Sequence, residues 1–243
     1  HKMANAIKEK YNIKEVHVVP GDSDEKQSVK REMGRQAGQL LESSLYEDAI
    51  VSVTGGSTMA YVSESIHLLP FNVFFVPARG GLGENMVYQA NTIASSMAQQ
   101  AGGYYTTLYV PDNVSESTYN TLMLEPSVSH TLDKIKQANV TIHGIGDALK
   151  MAHRRQSHKD VIDKLQHHQA VGEAFGYYFD AQGHIVHKVK TIGLQLEDLE
   201  SKDFIYAVAG GQSKGEAIKA YLSIAPDNTV LITDEAAAKV ILN

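Results

Sequence analysis

Thr54-Gly55-Gly56-Ser57-Thr58 sets two glycines beside two hydroxyl side chains, directly after the β-branched run Ala49–Val53. The glycines let the backbone turn and approach an anion closely. The hydroxyls donate hydrogen bonds, and a following helix presents N–H groups with no intrahelical acceptor. Phosphate oxygens accept all of these bonds; the competing account is a tight turn capped by Ser57. Gly210-Gly211-Gln212-Ser213-Lys214 repeats the theme and adds a cation. Lys214 is expected in the first turn of a helix, where the macrodipole favours negative charge, so a bound anion would offset it. The other account is a lysine pointing at water.

Arg79 ends the apolar run Phe74–Ala78 and precedes Gly80-Gly81-Leu82-Gly83. Its planar fork suits a phosphate or, equally, a loop carboxylate such as Glu84. Gly144-Ile145-Gly146-Asp147 is a fourth glycine-bearing loop, and His153-Arg154-Arg155 follows on a helix. One of these two arginines is placed to reach back over a ligand, against the plain reading of a solvated basic face. Glu173 follows Gly172, and a carboxylate there accepts sugar hydroxyls, unless it is a surface acid beside a hairpin. Gln89 stands one helical turn after Asn85 and bonds a hydroxyl, or is simply a solvated mid-helix residue.

Other chemistries find no support. The Thr54–Thr58 loop lacks the spacing and terminal lysine of a nucleotide P-loop, and no GxGxxG opens a first strand–helix turn. No G-x-S-x-G elbow occurs, so a serine hydrolase triad is not indicated. Eleven histidines raise the question of a metal. His167 and His168 are adjacent and diverge on a helix, His153 and His158 miss the i, i+4 fit, and no acid frames a zincin pair. Neither a metal nor a catalytic residue is expected.

These loops need a frame that brings strand ends and helix starts together. Strands are expected at Glu15–Pro20, Ala49–Val53, Asn72–Val76, Tyr104–Val110, Val140–His143, Phe204–Ala209 and Thr229–Thr233. Helical spacing covers Gln27–Tyr46, Met59–Leu69, Asn85–Ala101, Ser117–Leu124, Val128–Ala138, Ala148–Arg155, Lys159–His168, Gly215–Ile224 and Glu235–Leu242. Ala174–Lys190 reads as a β-hairpin inserted beside the main sheet. Alternating strands and helices imply a mostly parallel, doubly wound sheet in three α/β/α layers, with the glycine loops at its ligand-binding carboxyl edge.

The chain has 243 residues, enough for one large α/β domain without staples. It has no cysteine, which removes disulfides, thiol catalysis and thiolate metal sites together. No apolar run is long enough to span a membrane and no signal peptide is evident, so a cytoplasmic protein with no membrane partner is expected. Twenty-two basic against 28 acidic residues give a net charge of −6, a poor match for a DNA backbone. From the abrupt start His1-Lys2-Met3, a domain excised from a longer protein is the expectation.

Taken in order, Thr54–Thr58, Gly80-Gly81-Leu82-Gly83 through Asn91, Gly144–Asp147, and Val208-Ala209-Gly210-Gly211 through Thr233-Asp234-Glu235 resemble the effector-binding domain of SorC-family bacterial transcription regulators. The resemblance covers nearly the whole chain. It implies a Rossmann-like domain similar to sugar-phosphate isomerases and deaminases, 1–243 serving effector binding and oligomerisation as a homo-dimer or tetramer. It further implies operator DNA contacted only through a separate N-terminal helix-turn-helix domain absent from this chain. The implied effector is fructose 1,6-bisphosphate or another phosphorylated sugar. Carried over by motif, Thr54, Gly55, Gly56, Ser57 and Thr58 hold one phosphate. Arg79, Gly80, Gly81, Gln89, Gly144, Asp147, Arg154, Glu173, Gly211 and Lys214 complete the ligand site. The deaminases follow their Gly-x-Gly loop with Asp-Gly-His, whereas Asp147 here is followed by Ala148-Leu149. The phosphate frame is kept and the acid–base segment is lost, so a sensor is expected rather than an isomerase or deaminase.

Overall fold

The computed structural model describes residues 1–81 and 88–243. Its elements run α1 (Lys2–Tyr11), β1 (Glu15–Val19), α2 (Gln27–Ser44), β2 (Ala49–Val53), α3 (Ser57–Glu64), β3 (Val73–Pro77), α4 (Ala90–Ala101), β4 (Tyr104–Tyr105), α5 (Glu116–Leu122), α6 (Pro126–Gln137) and β5 (Val140–His143). They continue with β6 (Gly146–Asp147), α7 (Ala148–Arg154), α8 (Lys159–His167), β7 (Ala170–Ala174), β8 (Tyr177–Asp180), β9 (Ile185–Lys188), β10 (Phe204–Val208), α9 (Gly215–Leu222), β11 (Thr229–Asp234) and α10 (Glu235–Leu242). Seven strands form one sheet in the order β1-β11-β10-β5-β2-β3-β4, mostly parallel, as the strand–helix alternation implies. Strands β6-β7-β8-β9 form a second, antiparallel sheet.

The chain divides into two compact units. The first comprises residues 1–33, 144–189 and 207–243. Its β1 and β11 pair in parallel, Glu15 opposite Val230 through Val19 opposite Asp234. Every residue of β11 is buried, with the apolar Val230-Leu231-Ile232 at its centre and polar residues at its ends. The second sheet closes over Ala148, Ala152, Leu165, Tyr178 and Val189.

The second unit comprises residues 34–143 and 190–206. Here β2 lies between β3 and β5, parallel to both. Helix α4 turns Ala90, Ile93, Ala94, Met97, Ala98 and Ala101 inward, the i, i+3, i+4, i+7 spacing of a core-facing stripe.

Several elements depart from the sequence expectation. The strand expected over Tyr104–Val110 is two residues long. After Thr106 donates to the Phe75 carbonyl, the chain leaves the ladder, because the buried Asn91 side chain captures Leu108. Asn91 Oδ1 accepts the Leu108 N–H at 2.7 Å and its Nδ2 donates to the Leu108 carbonyl at 3.2 Å.

The helix expected over Met59–Leu69 instead spans Ser57–Glu64. Tertiary bonds draw the next residues away: His67 N–H donates to Glu42, and Leu69 N–H to the Ala101 carbonyl. Of the helix expected from Asn85, the α-helix begins at Ala90 among the described residues; Asn85, Leu82, Gly83 and Glu84 lie outside them. The expected hairpin exists as β8 and β9, but β6 and β7 extend it to four strands.

Candidate functional site

In the second unit, the loop after β2 is shaped by the segment that enters α4. A Cβ on Gly55 would lie 2.2 Å from the Tyr88 carbonyl oxygen, so only glycine fits this approach. Gly56 N–H donates to that same carbonyl at 2.8 Å, and Thr54 N–H donates to the Ile142 carbonyl at 3.2 Å. Helix α3 begins at Ser57, two residues earlier than its spacing implies, with Gly56 at the cap and no side chain closing it. Ser57 and Thr58 are thus its first two residues, whose N–H groups are among the four that lack intrahelical acceptors. An anion here would meet these amides and not those of Thr54 or Gly56. Thr58 is itself buried.

Arg79 forms an ion pair with Asp112, Nη1 to Oδ1 at 3.1 Å. The carboxylate partner read as the alternative to phosphate is therefore present, supplied by Asp112; Glu84 lies outside the described residues. Gly80 N–H donates to the Ile192 carbonyl and Gly81 N–H to that of Leu108, so both amides serve the fold. Gln89 is not mid-helix: it caps α4 in an extended conformation, without a side-chain capping bond.

In the first unit, Gly144 leads into β6, and Asp147 closes β6 and caps α7. Asp147 Oδ2 accepts the Lys150 N–H at 3.0 Å. Adjacent arginines then take opposite parts. Arg154 is exposed, its Nη1 3.6 Å from Met151 Sδ. The Arg155 side chain is buried: its Nη2 meets Glu173 Oε2 at 2.9 Å and its Nη1 donates to the Tyr178 hydroxyl at 2.9 Å. The paired side chains are 6% and 7% exposed, so Glu173 is no surface acid. Gly176 N–H donates to Oε2 as well, at 2.8 Å. Sequence reading missed Arg155 because neighbouring helical residues point about 100° apart and only the packing tells which turns inward.

The β10–α9 loop carries the densest charge. Gly211 has φ +100°, a backbone region closed to most side chains, and Gln212–Lys214 form one 3-10 turn. Lys214 is the cap residue before α9 rather than a member of its first turn. It is half-buried, and Lys30, Arg154 and Lys150 lie within electrostatic reach. Burial first, then Lys30 and Arg154, holds its ammonium below its ordinary 10.5, with Asp24 pulling the other way. Four cations from three segments thus gather at the start of one helix, a place that already favours negative charge.

The loop's own amides meet carboxylates that sequence reading did not identify. Gly211 N–H donates to Asp234 at 2.9 and 3.0 Å, Gln212 N–H to Asp22 at 3.3 Å and Ser213 N–H to Asp24 at 2.8 Å. Asp234 is fully buried and also accepts from Ser23 and Ala237. Among the described residues no His, Cys, Asp and Glu cluster is arranged to hold a metal, and no helix is long and apolar enough to cross a membrane.

Known proteins resemble this chain along its whole length. The Sugar-bind family model, described as a sugar-binding domain, matches residues 1–243. The central glycolytic genes regulator of Priestia megaterium is 48% identical over 240 residues, covering 98% of this chain and 70% of that protein. The Bacillus subtilis protein of the same name is 47% identical over 242 residues, covering 99% and 71%. The crystal structure of a SorC family transcriptional regulator from Enterococcus faecalis superposes with a TM-score of 0.94 at 42% identity, covering 100% of both chains.

Proposed function

Because the chain belongs to the Sugar-bind family, the sugar-binding domain of SorC-family transcriptional regulators, we propose that it senses a phosphorylated sugar and passes the signal to transcription of glycolytic genes. The gathering of Lys214, Lys30, Arg154 and Lys150 at the start of α9 carries the reading. Like charges placed together raise the energy of the free protein, and a phosphate dianion lowers it. The start of α3, within the second unit, offers helix-terminal amides of its own to an anion. Fructose 1,6-bisphosphate, the effector implied by the family resemblance, is the proposed ligand, and binding shifts the chain between oligomeric states of unequal affinity for it.

An enzyme that rearranges a sugar phosphate needs a base at the sugar ring. The two carboxylates available for that role in the sequence are engaged: Asp147 caps α7 and Glu173 holds Arg155. This supports sensing over turnover. The test is thermal unfolding with fructose 1,6-bisphosphate, fructose 6-phosphate, glucosamine 6-phosphate and inorganic phosphate, with each sugar analysed for conversion afterwards. At about 100 times its dissociation constant a ligand adds about 2.7 kcal/mol, a shift of a few degrees. The largest shift is expected with the bisphosphate, and every sugar is expected to be recovered unchanged. Absence of any shift, or conversion of one sugar, overturns the reading.

A further inference from the structure

Three consecutive amides, those of Gly211, Gln212 and Ser213, each donate to a carboxylate of the chain itself. Successive N–H groups aimed at one region make an anion-binding concavity, and here it is filled from within. The three carboxylates are not equivalent. Asp234 is fully buried and ties Gly211 to Ser23 and Ala237, so it belongs to the fold. Asp22 also accepts the Asp24 N–H at 2.9 Å and shapes its own turn. Asp24 is exposed, and its side chain makes one hydrogen bond among the described residues, to Ser213 N–H at 2.8 Å. A Cβ on Gly211 would lie 2.4 Å from Asp24 Oδ1, so the carboxylate lies directly over the loop backbone.

We propose that Asp24 is a built-in occupant of the anion subsite at Gly211–Lys214, which a ligand phosphate must displace, and that its charge restricts the subsite to strongly charged ligands. The proposal rests on the reading of this loop as a phosphate subsite. Among the described residues, Asp24 supplies the carboxylate attraction on Lys214, against Lys30, Arg154 and Lys150. A phosphate dianion offers more acceptor oxygens and more charge than this carboxylate, and so replaces it. A neutral sugar or a weak monoanion does not. Displacement needs no unfolding of the loop, because Ser23 beside it stays anchored on Asp234 and Gly21 on Glu235.

The test compares the parent chain with Asp24→Asn and Lys214→Met by calorimetric titration with inorganic phosphate and with fructose 1,6-bisphosphate. Asparagine keeps an acceptor for Ser213 N–H and removes only the charge. Asp24→Asn is expected to bind inorganic phosphate about tenfold more tightly, the scale of one charge-assisted hydrogen bond no longer opposed. The gain for the bisphosphate is smaller, which narrows the preference between the two. Lys214→Met is expected to bind both more weakly. If Lys214→Met is weakened while Asp24→Asn binds phosphate no better than the parent, the subsite stands and the displaced-carboxylate proposal fails. If Lys214→Met binds as the parent does, the subsite reading fails first and takes the proposal with it. Should Asp24→Asn not fold, Asp24→Ser is read by the same criteria.

Discussion

Replacing Lys214 with methionine keeps the unbranched stem and removes the charge, which separates binding from packing. Two opposite effects are expected. Without ligand, the variant is at least as stable as the parent, because a half-buried ammonium beside Lys30 and Arg154 has been deleted. With ligand, it loses charge-assisted bonds of about 1.5–3 kcal/mol, a weakening of about ten- to hundredfold. The pH dependence fixes the sign independently. In the unfolded chain the lysine titrates near 10.5, and in the folded chain lower. Below the folded value both states carry the proton and the folded chain bears the full penalty. Between the folded value and 10.5 the unfolded chain binds more protons, so this contribution to stability rises with pH. The parent should therefore gain on the variant as pH climbs through that window. Bound phosphate draws the proton back, so calorimetry repeated as pH rises toward 10.5, in buffers of different ionisation enthalpy, should show proton uptake by the parent and none by the variant. Equal affinity for the bisphosphate, or equal proton uptake, would refute the assignment of Lys214.

Other perturbations isolate single contacts. Arg155→Ala strands the buried Glu173 carboxylate and should lower stability by about 3–5 kcal/mol in urea unfolding, while the double variant Arg155→Met, Glu173→Leu recovers most of the loss. A single variant no less stable than the parent would show that the pair is not buried as described. Asp147→Ala removes the α7 cap at a cost of about 1 kcal/mol, and Asp147→Asn should restore it; a loss that asparagine does not restore would point to a role for the charge. Gly55→Ala sets a methyl against the Tyr88 carbonyl and should cost about 1–3 kcal/mol, so an alanine variant of parental stability would contradict the close approach.

What sequence could show follows from how local each cause is. Strands β2, β5 and β11 and helix α2 were legible because their apolar patterns are set within the segment. The short β4 was not, since Asn91 diverts the chain at Leu108, 17 residues on. Strand β7 was hidden by Gly172 and Glu173, poor strand formers that fit there because Gly172 lies against the Phe179 ring. The glycine loops were legible as turns between strand and helix, and Lys214 as the residue just before α9. Their partners were illegible: Asp112 meets Arg79 from another loop, and Asp24 reaches Ser213 across |i−j| = 189. A carboxylate that answers a distant amide leaves no periodicity behind.

The pairing of β1 with β11, reinforced where Asp234 holds Ser23, also bears on how the chain is made. Glu15 lies opposite Val230, so the first strand leaves the ribosome long before its partner exists. At roughly 5–20 residues per second, that interval is on the order of ten seconds or more. Throughout it the edge of β1 has no neighbour from β11, and the aspartate that fastens its loop has not been synthesised. The first unit is thus completed only after β11 has been made. Its folding rate should respond sharply to changes in β11, and nascent chains stalled before Asp234 should be open to protease at residues 20–26.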